Sequence, residues 1–138
     1  MARTPDRLSI DKADRDLYDH NAVKSEILKG RENKEQFLFT MAIGFKNQVR
    51  RPLDAREGFV RTEYLRPEDE ALIDAVAIYD TGSPDVLADR EAVFRIAEEY
   101  AHAGIRLLYD RATSSQPGSF YKQLEVELFA LLGALERD

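Results

Sequence analysis

The chain has 138 residues and no cysteine. Disulfides, thiolate zinc sites, iron–sulfur clusters and cysteine nucleophiles are thereby excluded. Histidine is nearly as scarce. His20 and His102 are the only two, which removes a histidine-rich metal centre. Glycines fall at 30, 44, 58, 82, 104, 118 and 133, and none belongs to a P-loop, a dinucleotide fingerprint or a nucleophile elbow. No run of 18 apolar residues occurs, and the opening MARTPDRLSI lacks the apolar region of a signal peptide. These absences predict a soluble, cytoplasmic protein without membrane contact, metal or cofactor, and with no residue set for catalysis.

What is present describes a globular chain. Hydrophobic residues make up 43% and charged residues 33%, a ratio that supports a folded core without staples. The length suits one domain, 1–138. Charge is distributed unevenly. Residues 1–23 carry a net −1, residues 24–66 a net +4, and residues 67–138 a net −9. An acidic total argues against a bulk nucleic-acid coat but permits a local basic face.

The periodicity predicts a mainly α fold, compact and single-domain, of five or six helices with at most a short strand pair. Residues 1–32 read as short N-terminal helices: Ser9 is placed to cap a helix over 11–19, and AVKSEILKG sets Val23, Ile27 and Leu28 on one side before Gly30. Asn33 and Gln36 have the spacing of a capping box. The run FLFTMAIGFK that follows is apolar on almost every side, as a central helix is. Gly44 within it suits the close approach of another element. The helix should end near Asn47, followed by a loop punctuated by Pro52 and Gly58. FVRTEYLR alternates at Phe59, Arg61, Glu63 and Leu65, with Val60 and Tyr64 out of phase, as a short strand or extended arm. Pro67 opens a helix with Glu68, Asp69 and Glu70 in its first turn and Leu72, Ile73, Val76 and Tyr79 as its buried stripe. Thr81-Gly82-Ser83-Pro84 stops it. The longest helix runs from about Asp89 to Arg111, and 113–138 ends in a helix carrying Phe120, Leu124, Leu128, Leu131 and Leu135.

Several groups invite a chemical reading. Asp19 with Glu32-Asn33-Lys34 has the form of a metal-nuclease acid…E-x-K pattern, but its flanks are polar and it precedes a helix, so a charged capping loop is the better account. Glu68, Asp69 and Glu70 belong where a helix dipole favours them. His102, four residues after Glu98 and three after Glu99, fits an ion pair within its own helix. His20 sits in a polar turn, and Tyr100, Tyr109 and Tyr121 read as core edge. The ambiguous feature is basic: Lys46, Arg50, Arg51, Arg56, Arg61 and Arg66 cluster within 21 positions, with Phe59 and Tyr64 interleaved. Such a stretch can grip phosphates or an acidic partner. It can equally pair with the acidic half of its own chain or of a neighbouring molecule.

Three blocks carry a family resemblance. They are Ala42-Ile43-Gly44-Phe45-Lys46 followed by Arg50-Arg51-Pro52-Leu53, the Thr81-Gly82-Ser83-Pro84 turn, and Glu98-Glu99-Tyr100-Ala101 with Gly104. In this order the chain resembles the Dnd (DNA phosphorothioation) system-associated protein 4 family across roughly residues 5 to 112, with 33–112 as the family-like core. The helix from about Ser119 has no counterpart in that resemblance. It implies a non-enzymatic accessory or adaptor of a prokaryotic DNA-modification or anti-phage defence system. Larger defence proteins would be its partners, with DNA contact and self-association left open. The rival readings are a DNA-binding regulator, since DRLSIDKADRDL before a helix-rich segment loosely resembles ribbon-helix-helix repressors, and a metal-dependent nuclease.

Overall fold

Two helices meet here without side chains between them. Helix α2 (Asn33–Lys46) crosses the long α4 (Arg90–Ser114) at two glycines. A β-carbon on Gly44 would stand 2.0 Å from the Tyr100 carbonyl oxygen, and one on Gly104 would stand 1.7 Å from that of Thr40. The close approach expected of Gly44 is therefore present, and Gly104 is its counterpart. Phe37, Met41 and Ile43 of α2 and Val93, Ala97, Ile105 and Leu108 of α4 are buried around the crossing.

The computed structural model describes residues 4–20, 23, 28–114 and 125–133. The architecture is mainly α. Along the described chain, strand β1 (Arg7–Asp11) leads through a 3-10 turn (Lys12–Asp14) into the short α1 (Arg15–Asp19). After α2 come strand β2 (Arg56–Arg61), a 3-10 turn (Thr62–Tyr64) and α3 (Pro67–Thr81). A further 3-10 segment (Pro84–Ala88) precedes α4, and residues 125–133 are again helical. Of the leucine-rich stripe expected in the last helix, Leu128 and Leu131 lie in this segment, whereas Phe120, Leu124 and Leu135 lie outside the described residues, as does Tyr121.

The N-terminus corrects the sequence reading. Residues 7–11 form a strand, not the start of a helix capped by Ser9. Leu8 and Ile10 alternate with Ser9 and Asp11, and all four are buried. β1 pairs antiparallel with β2, Leu8 opposite Val60 and Ser9 opposite Gly58, so that Phe59 is an extra residue on β2. Gly58 is thus a strand residue and not a loop mark. Asp11 provides the cap, its side chain accepting from the Ala13 N–H at 2.9 Å. Long-range pairing and burial outweigh the local helical pattern here.

Other boundaries follow the local signals. Glu32 caps α2, one residue before the expected Asn33, and the Glu35 carboxylate accepts from the Glu32 N–H at 3.3 Å. Asn33 instead donates to the Phe59 carbonyl oxygen at 3.2 Å, and Gln36 to that of Arg31 at 2.8 Å. Pro67 opens α3, and Gly82, at φ 78°, ends it in the left-handed region. Ile73, Val76 and Ala77 are the buried stripe, while Tyr79 is 43% exposed.

Replacing Gly104 by alanine should cost at least ~3 kcal/mol, because its neighbour is backbone and cannot rotate away. Gly58→Ala meets only the flexible Arg7 side chain and should cost far less. Urea denaturation of both variants checks the crossing; equal midpoints would show that the helices can part without penalty.

Candidate functional site

The polar face of α4 is buried, which calls for partners. Glu98, Glu99 and His102 are 1%, 8% and 7% exposed, and unpaired charges at that depth would be expensive. The chain supplies compensation from three directions.

From the N-terminal turn comes Asp14, fully buried, with Oδ2 2.5 Å from His102 Nδ1 and Oδ1 3.2 Å from Arg106 Nη2. Asp11 Oδ2 lies 4.0 Å from His102 Nε2. The partner of His102 is therefore Asp14, 88 residues away in sequence, and not the neighbouring turn of its own helix. From the ribbon, the Ser9 N–H donates to Glu98 Oε2 at 2.7 Å and Arg56 Nη2 to the same atom at 3.0 Å. From the loop after α2, Arg50 Nε pairs with Glu99 Oε1 at 2.9 Å while its Nη1 also engages Asp80. The Tyr100 hydroxyl donates to Asp80 Oδ1 at 2.5 Å.

These environments set the protonation of the carboxyls. Burial pushes Glu98 up to about 7, against the Ser9 N–H and the Arg56 guanidinium. Burial also raises Asp14, although His102 and Arg106 favour its charged form. Asp11 feels burial in the same sense, yet the N–H groups of Ala13, Asp54 and Ala55 overcome it and hold the carboxyl below its ordinary value. Burial and the Asp80 contact push Tyr100 up to about 12. An Asp–His pair can orient an acid–base catalyst. In this pair both ring nitrogens face carboxylates in a closed interior, an arrangement that ties the N-terminal turn to α4.

The basic stretch is largely drawn into the same scheme. Lys46 lies 3.4 Å from Glu127, which also takes Arg111 at 2.9 Å. Arg50 and Arg56 go to Glu99 and Glu98 as above, and Arg61 pairs with Glu63 at 3.3 Å on the exposed surface. Arg66 lends its backbone N–H to Asp69 at 2.9 Å. Arg51 is exposed, and its side chain has no ion pair among the described residues. Pairing with the acidic half of the chain thus accounts for three of the six, Lys46, Arg50 and Arg56. Of the nuclease-like pattern, Glu32 caps α2, and Lys34 Nζ pairs with Asp69 Oδ2 at 2.9 Å, bridging to α3. Among the described residues no group of three or more His, Asp or Glu is arranged to hold a metal.

Asp11, Asp14 and Arg106 are members of this network that the sequence did not single out, and Ser9 was singled out only as a helix cap. Asp11 and Asp14 stood in a polar stretch that reads as surface. The one available signal was the alternation of Leu8 and Ile10 with polar residues. A separate apolar groove of about 450 Å³ lies between α2, α3 and residues 125–133, with Leu38, Phe39, Leu72 and Leu128 in its walls.

Fold and site together define a mainly helical domain whose ionic groups are turned chiefly on one another. The chain belongs to the family of DNA sulphur modification system-associated protein 4, whose model matches residues 23–131. The match extends beyond the range of the sequence resemblance and takes in the C-terminal helical segment, while leaving β1 outside. No curated protein and no solved structure matches the chain.

Because its pKa is raised, Glu98 holds its proton in the folded chain between pH 4.5 and 7 while the unfolded chain releases it. Its contribution to stability is therefore present below pH 4.5 and is lost as pH rises through 7. Glu98→Gln, which keeps an acceptor for Ser9 and cannot ionise, should gain on the wild type across that window, by up to about 3 kcal/mol above pH 7. Parallel stability–pH profiles for the two proteins would contradict this.

Proposed function

We propose that this protein is a non-enzymatic accessory of a DNA sulphur modification system, acting as an adaptor that contacts other proteins of that system. The family match over residues 23–131 is the observation that carries this reading. The internal pairing of Lys46, Arg50 and Arg56 supports a protein partner over a nucleic-acid one. Phosphate binding draws on several free cations together, and these are already engaged with carboxylates. The basic segment then contributes through its unengaged members, Arg51 above all.

The ribbon-helix-helix alternative is less well supported. Such regulators pair a strand from each of two chains and lay the ribbon in the DNA groove. Here β1 pairs with β2 of the same chain, and four of its five residues are buried.

Tagged protein co-expressed with the other proteins of its system should capture at least one of them. Arg51→Ala should weaken that capture by about tenfold with unchanged thermal stability, whereas Arg50→Ala should chiefly lower the melting temperature. Duplex binding that is tighter than any protein capture, and that falls steeply between low and high salt, would replace the adaptor by a DNA-binding protein. The purified chain should also leave plain and phosphorothioated DNA uncut with Mg²⁺ or Mn²⁺. Cleavage abolished by Glu32→Ala would reinstate the nuclease.

A further inference from the structure

A second cleft, of about 280 Å³, lies where the loop after α2 passes α1 and α4. Leu17, Val49 and Leu107 give it apolar walls, Arg51 and Arg106 line it as well, and Asp110 is the one acidic residue among the described residues that line it.

The backbone fixes these groups in place. Gln48 takes a positive φ of 56°, an uncommon conformation for a residue with a β-carbon. It turns the chain sharply at the end of α2, so that the Val49 N–H donates to the Gly44 carbonyl oxygen at 3.0 Å and the Arg51 N–H to that of Glu99 at 3.1 Å. Arg51 is thus held against α4 by its main chain while its side chain remains without a partner among the described residues. Arg106 is anchored by Nη2, 3.2 Å from the buried Asp14, and its Nε, itself buried, has no hydrogen-bond partner. Its side chain is 42% exposed.

We infer that this cleft binds a single carboxylate side chain flanked by apolar groups, as an acidic residue within a hydrophobic peptide segment of a protein partner presents. Two guanidinium groups with unused donors match a carboxylate. The Leu17, Val49 and Leu107 walls take its apolar neighbours. Asp110, and the net −9 carried by residues 67–138, oppose a polyanion lying across the same surface. This inference rests on the adaptor reading and names the chemistry of one of its contacts. Capture in co-expression tests that reading as a whole, whereas a small probe tests this cleft by itself.

The probe is the capped tripeptide acetyl-Leu-Glu-Leu-amide, titrated into isotopically labelled protein and followed by NMR at the arginine Nε–H resonances. Its glutamine counterpart and a 12-base-pair duplex serve as the other two arms. The glutamate peptide should shift the Arg51 and Arg106 signals saturably, at millimolar concentration as befits so small a ligand. The glutamine peptide should bind at least about tenfold more weakly. Arg51→Ala should abolish the shift at Arg106 while leaving the melting temperature unchanged. Equal response to the two peptides, persistence in Arg51→Ala, or no shift with either peptide would overturn the inference. Saturation by the duplex below the peptide's own concentration range would overturn it in favour of a nucleic-acid contact.

Discussion

Where α2 crosses α4, the Thr40 carbonyl oxygen fills the space that a β-carbon on residue 104 would need, and the Tyr100 carbonyl oxygen does the same at residue 44. Backbone contact at this one crossing fixes how deep Thr40 lies. With no exposure to water, its hydroxyl is shared: it stands 3.0 Å from the Phe37 carbonyl oxygen within its own helix and 2.7 Å from the Tyr18 hydroxyl. Tyr18 in turn packs against Phe59 with ring centroids 4.8 Å apart. A change of spacing at the two glycines would therefore pass through Thr40 and Tyr18 to α1 and to the ribbon.

The same crossing carries the polar face of α4 into the interior, and the rest of the chain answers it with charge. The turn after β1 gives Asp14, β2 gives Arg56 and the loop after α2 gives Arg50. Buried ion pairs contribute little net stability against apolar alternatives, but leaving one partner alone is costly. The network's effect is thus on which segment sits where. Three stretches remote in sequence are each assigned a position along one helix by the charge they bring. That division leaves Lys46, Arg50 and Arg56 engaged with carboxylates of the acidic half.

The long helices were legible because their signals are local. A proline with three acids after it opens α3, a glycine in the left-handed region closes it, and an apolar run with a glycine in its midst marks α2. The N-terminus was not legible for the complementary reason. β1 is too short for its period of two to stand out, and its partner strand begins 45 residues beyond its end. Asp14 looks like surface until His102 is brought to it across 88 residues. The charge split left open whether the basic middle would meet the acidic end or an outside partner. It could not rank Arg50, clamped between two carboxylates, against Arg51 next to it, because that difference is one of side-chain surroundings and not of sequence pattern.

The extra residue at Phe59 explains why Val60 broke the alternation of its segment. Opposed residues of an antiparallel pair share a face, so Gly58 and Arg56 lie on the side of Ser9 and Asp11, the side that meets Glu98 and His102. In an unbroken strand Val60 would join them. The inserted residue reverses the parity and places Val60 with Leu8 instead, while Asn33 of α2 takes up the carbonyl oxygen of Phe59. The ribbon is thus in two phases, ionic at one end and apolar at the other. Deleting Phe59 would therefore not turn the strand over: Val60 would follow Gly58 onto the Leu8 side in a regular ladder, and what would be lost is the kink and the carbonyl oxygen that the Asn33 amide bonds.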